Sequence, residues 1–188
     1  MIRLFLLLAL VWSTGAAQDG PPKTVKEIRQ LYADTQKAIA MMDEEEHLRY
    51  QLTMTHQCNN AGAGIQQETI TGYYYEDEEA VGNDYHHTDY RPYFIIRKYN
   101  VGARKFYEEY LFHAESGEPV FVFLQCDSME DAGKKDESRY YYGPGGLISE
   151  NIKGERILSD FTAKELAAEI WSTLQTQVYF FHGVHSQY

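Results

Sequence analysis

The sequence predicts an α+β fold: an antiparallel meander of about six to seven strands, flanked by an N-terminal and a C-terminal helix on one face. Three observations carry that prediction. Apolar residues recur at helical spacing near both ends of the chain, the segments between them alternate with a period of two and are rich in Tyr, and Gly, Asn and Pro punctuate those segments at short intervals.

Near the start, Thr24 and Glu27 form a capping box, and Val25, Ile28, Leu31/Tyr32, Thr35, Ala38/Ile39 and Met42 then recur at helical spacing along a helix reaching to about Asp43. From His47 the period changes to two. The runs 47–57 and 66–76, joined across Asn59 to Gly64, read as paired strands, and the acidic stretch 76–89 reads as an exposed loop. Segments 93–99 and 104–113 flank Asn100-Val101-Gly102, and Val120 to Leu124 is apolar on both faces, as a central strand would be. A further hairpin turns at Gly143 to Gly146. A second capping box, Thr162 and Glu165, opens a helix with Leu166, Ile170, Leu174 and Val178 on one side.

The N-terminus predicts export. Arg3 precedes the apolar run Leu4 to Trp12, and small residues up to Ala17 follow, so residues 1–17 read as a cleavable signal peptide and 18–188 as one domain. The run is far shorter than the roughly 20 residues a spanning helix needs, which argues against a stable membrane anchor. The expected location is the periplasm or the exterior. In that oxidising setting Cys58 and Cys126 are expected to form a disulfide, the alternatives being two buried thiols or a catalytic Cys near His56.

Composition narrows the partners. A net charge of −11 without a basic cluster excludes nucleic acid and anionic membranes, both of which demand one. No nucleophile elbow, zinc-binding His-Glu-x-x-His, phosphate loop or Cys-x-x-Cys is present, and no cofactor is implied. His86, His87, His182 and His185 could supply metal nitrogens, but no group is complete, and solvated or structural histidines are the simpler reading.

The chemistry-bearing surplus is Tyr, 16 residues in all. Alternation puts Tyr140 and Tyr142 together, and likewise Tyr73 and Tyr75. If the two helices share one face, these rings lie on the uncovered one, where they would bind a protein or glycan surface. The stretches Phe106 to Phe123 and Ser138 to Ile148 resemble secreted bacterial proteins built from hairpins of the form Tyr-x-x-Tyr, turn, apolar strand. The resemblance implies a meander and a bacterial envelope setting, and it carries no site residues. A cystatin-like inhibitor is not supported, since Gln177-Val178-Tyr179 lacks the Gln-x-Val-x-Gly loop.

The reading is therefore a non-enzymatic binding or interaction module. The alternatives are a small hydrolase or isomerase with Glu108, Glu109, His113 or Asp127 as acid–base groups, and a structural subunit of an assembly.

Overall fold

The computed structural model describes residues 20–42, 50–62, 64–81 and 85–185, with backbone alone at 60, 77–81, 85–88, 184 and 185. The expected signal segment, 1–17, lies outside the described residues, as do the side chains of His86, His87 and His185. Helix α1 (Val25–Ala40) precedes strands β1 (Tyr50–Asn60), β2 (Gly64–Val81), β3 (Tyr85–Val101), β4 (Arg104–Phe112), β5 (Pro119–Asp127), β6 (Lys135–Gly143) and β7 (Gly146–Lys153), and helix α2 (Asp160–His185) follows. The strands form one antiparallel sheet in chain order, β1 to β7.

Local chemistry sets the helix starts. The Thr24 side chain accepts from the Glu27 amide at 3.2 Å while the Glu27 carboxylate accepts from the Thr24 amide, so the expected capping box is formed. At α2 the cap lies earlier than the pattern Thr162/Glu165 implied. Ser159 Oγ accepts from the Thr162 amide at 3.2 Å, which satisfies one of the orphan donors of the first turn.

The hairpin of β2 and β3 is longer than expected. Within 76–89, read from sequence as a loop, the ladder continues from Glu76 opposite Tyr90 to Val81 opposite Tyr85. Polar composition hid these strands because ladder hydrogen bonds are made by backbone, whatever the side chains. Lower in the same hairpin the register shifts between Tyr73 and Tyr74, which face Phe94 and Pro92, so Tyr93 is an extra residue. Pro92 has no N–H to contribute, and a bulge tolerates that loss. The carbonyls there turn to α2: Trp171 Nε1 donates to Pro92 O at 2.9 Å and Gln175 Nε2 to Tyr90 O at 3.0 Å.

The two helices cover opposite faces, which corrects the one-face expectation. Ile28 of α1 packs with Phe94, Leu111, Phe121 and Tyr141, whereas Ala163, Ala167, Ile170, Leu174 and Val178 of α2 pack with Ile95, Tyr110, Val122 and Tyr140. Phe94 and Ile95, Tyr110 and Leu111, and Tyr140 and Tyr141 are neighbours in strands, so their side chains point to opposite sides. The physical reason lies in β4 to β6, whose residues are apolar on both sides. Two apolar faces each need a cover, and one layer of helices supplies only one.

The expected disulfide is absent, and both cysteines are free thiols. Cys58 lies on β1 and Cys126 on β5, four strand spacings apart in the sheet order. At about 4.8 Å each, that is ~19 Å along the sheet, well beyond the ~7 Å limit for Cα atoms of a bridge. Cys126 is buried and accepts an N–H from Arg104 Nη2 at 3.0 Å instead.

Candidate functional site

The four tyrosines expected to bind ligand do not share a face. Tyr140 and Tyr142 are 0% and 2% exposed beneath α2, with their hydroxyls donating to the carbonyls of Leu158 and Asp160. They are core residues, which corrects their placement on an uncovered surface. Burial of a Tyr requires an acceptor for its hydroxyl, and the connection after β7 provides one and the first residue of α2 the other. Tyr73 and Tyr75 lie on the opposite face with α1. Tyr73 packs on Phe94 with ring centroids 6.3 Å apart, and Tyr75 stacks on Tyr93 while its hydroxyl donates to Ala114 O at 2.8 Å.

The proposed acid–base groups also separate. Alternation sends Glu108 to the α2 face and Glu109 to the α1 face. Glu108, 2% exposed, accepts from Tyr99 at 3.0 Å, Tyr110 at 2.5 Å and Arg97 Nη1 at 3.3 Å. Arg97, Tyr99, Phe106 and Arg104 stack in series, with the two rings 4.7 Å apart and nearly parallel. Every oxygen of Glu108 is thus engaged inside a packed structural network. His113 and Asp127 serve turns: His113 Nδ1 lies 3.2 Å from Ser116 Oγ, and Asp127 accepts from the Lys105 amide at 2.9 Å.

Glu108 borders a cavity of about 200 Å³, whereas Glu109 borders one of about 440 Å³. Strand register aligns Glu109, Phe123 and Arg139 in one row across β4, β5 and β6, with Leu111, Phe121 and Tyr141 in the row beside it. Helix α1 crosses this face on Ile28, and beside the crossing a groove of about 440 Å³ remains between Arg29 and Tyr32 of the helix and these rows of the sheet. The carboxylate of Glu109, 8% exposed, is held between two tyrosines, with Tyr32 donating to Oε2 at 2.7 Å and Tyr107 donating to Oε1. Burial, reinforced by the hydrogen bond to and charge of Glu109, raises the ionisation of both tyrosines far above the ordinary phenol range. They therefore act as neutral donors.

Two guanidiniums complete the groove. Arg139 lies 4.5 Å over the Phe123 ring and Arg29 lies 5.6 Å over the Tyr141 ring. Arg139 Nη1 also donates to Glu137 at 2.7 Å. The carboxyl of Glu137 is held below its usual range, since its burial, which opposes ionisation, is outweighed by hydrogen bonds from Arg139 and Lys153. The sequence places Tyr32 on the stripe of the first helix, and it assigns neither Tyr32 nor the two arginines to a site. The available signal was alternation itself, which puts Arg139 and Tyr141 on the side opposite Tyr140 and Tyr142.

At the far end of α2, His182 stacks on Tyr90 with centroids 4.2 Å apart, and its Nε2 lies 3.0 Å from the Tyr74 hydroxyl and 3.8 Å from Glu76. It ties the helix to the β2–β3 hairpin. Among the described residues, no group of three or more His, Cys, Asp or Glu is placed to hold a metal ion, and no helix is long and apolar enough to cross a membrane.

Fold and groove together define an α+β meander with a helix on each face and a charged cleft under the first. Compared with known proteins, the chain matches no family model, no curated protein and no solved structure.

Proposed function

We propose that this chain is an exported, non-enzymatic binding module whose ligand seats in the groove between α1 and the sheet. The observation that carries the reading is the pairing of two guanidiniums, each lying over an aromatic ring of the floor, with a buried carboxylate clamped by two tyrosine hydroxyls. Such groups are positioned before any ligand arrives, so little side-chain entropy remains to be lost on contact. Binding is favoured over catalysis because, among the described residues, Glu109 is the single carboxylate of the lining, and no His, Cys, Ser or Lys joins it there as an acid–base partner or nucleophile. Export rests on the Arg3, Leu4 to Trp12 and Ala17 pattern, and N-terminal sequencing of the extracytoplasmic protein tests it, with an intact Met1 as the contrary result.

The test of the groove is a heteronuclear NMR titration of the folded chain with small carboxylates and glycan fragments. Shifts centred on Arg29, Tyr32, Glu109 and Arg139 are the expected outcome. Shifts confined to the α2 face would refute the assignment.

A further inference from the structure

We infer that the groove takes an acidic sugar residue, a pyranose ring carrying one carboxylate and several hydroxyls. The inference rests on the groove reading and adds the class of ligand. It begins with charge. The chain carries −11 overall, yet the groove is lined by Arg29 and Arg139 against the single carboxylate Glu109. Arg139 shares Glu137 with Lys153, so with that pair counted the cluster holds three cations to two carboxylates, and the excess of one positive charge, set in an acidic molecule, complements a monoanion. A zwitterionic amino acid would leave that excess unmatched, and a phosphate dianion would place its second charge against Glu109.

Hydrogen-bonding capacity selects further. Each Glu109 oxygen accepts one tyrosine hydroxyl, and a carboxylate oxygen has a second lone pair, so Glu109 can still accept from hydroxyl donors on a ligand. The ring faces of Phe123 and Tyr141 are occupied by Arg139 and Arg29, so an incoming ligand meets guanidinium N–H groups more than bare aromatic carbon. Those forks suit a carboxylate. Register places Phe123 between Glu109 and Arg139, two strand spacings or about 10 Å apart at the backbone, so the two groups flank one ring of the groove floor. The volume of about 440 Å³ lies toward the small end of ligand cavities and fits one or two rings.

The experiment is calorimetric and NMR titration of the folded chain with methyl glucuronoside, methyl glucoside, acetate, glycine and inorganic phosphate. The glucuronoside is expected to bind with shifts in the groove, and the neutral glucoside at least about tenfold more weakly, as loss of one charge-assisted contact implies. Arg139→Ala and Arg29→Ala should each weaken the glucuronoside by about tenfold with circular dichroism unchanged. Glu109→Gln, which keeps a side chain able to meet both tyrosines, should weaken the glucuronoside and strengthen phosphate. Equal binding of glucuronoside and glucoside, or binding of acetate, glycine or phosphate as tight as the glucuronoside, overturns the acidic-sugar assignment while the groove shifts preserve the groove itself. Groove resonances that none of the five compounds moves would overturn both.

Discussion

A buried tyrosine and an exposed one look alike in a sequence, and the difference lies in what the hydroxyl reaches. Tyr140 and Tyr142 find the carbonyls of Leu158, in the connection after β7, and of Asp160, the first residue of α2, neither with a sequence signature as an acceptor. Tyr140→Ala should cost about 3–5 kcal/mol, as for other large buried rings, and Tyr140→Phe about 1–3 kcal/mol through the orphaned Leu158 carbonyl. Urea midpoints measure both, and a change within error for Tyr140→Ala would contradict burial. The thiols give a second check. Without reductant, alkylation and intact-mass measurement should find Cys58 modified in the native state and Cys126, 1% exposed, only after denaturation. Alternation did reveal which side chains share a side, including Glu109 apart from Glu108. It did not reveal Arg29, because the crossing point of α1 is a tertiary choice made around Ile28.

The seating of α2 depends on one glycine. A Cβ at Gly72 of β2 would fall 1.8 Å from Leu174 Cδ2 and 2.8 Å from its Cγ, and Leu174 is fully buried with nowhere to turn. Gly72→Ala should therefore destabilise by about 1–3 kcal/mol, the usual range for overpacking. Combined with Leu174→Ala the penalty should shrink relative to additivity, which a double-mutant cycle by thermal or urea unfolding reads directly. Additive effects would mean that α2 does not press on this strand. Elements with strong local signals were legible: the Thr24 cap, the apolar stripe of α2, the doubly apolar β5. The outer part of the β2–β3 hairpin was not, since Glu78, Glu79, His86 and His87 carry no apolar alternation in the sequence, and the ladder that pairs them is made by backbone groups.

The placement of helices on opposite faces shapes the response of the whole molecule to alkali. Tyr32, Tyr74, Tyr99, Tyr107, Tyr110 and Tyr142 all have ionisation raised, burial being the first cause in each, with Tyr74 pushed up to about 12. A group whose folded-state value is raised binds its proton more tightly folded than unfolded, so stability falls once pH climbs past the unfolded value of about 10. For Tyr74 the loss accumulates up to about pH 12, and for the other five it continues beyond. Tyrosinate absorbance should therefore rise in a late cooperative step coincident with loss of circular dichroism. A smooth titration of all 16 tyrosines near the free-phenol value would contradict the two-sided core. That both faces needed a cover was written in β4 to β6, where consecutive residues are apolar; which helix took which face was not, because each helix has a single apolar stripe that fits either.

The ladder in chain order also has a kinetic side. Each strand pairs with its neighbour along the chain, so hairpins can close over short loops, one after another, as the polypeptide emerges. The wall of Ile95, Tyr110, Val122 and Tyr140 stays bare until residues 160–185 arrive, since α2 is the last element and docks back onto β2 and β3. A ribosome-bound chain thus passes through a state with a finished sheet and one naked aromatic face, the kind of species that holdase chaperones capture. A version ending at Ser159 should keep strand content yet self-associate on gel filtration.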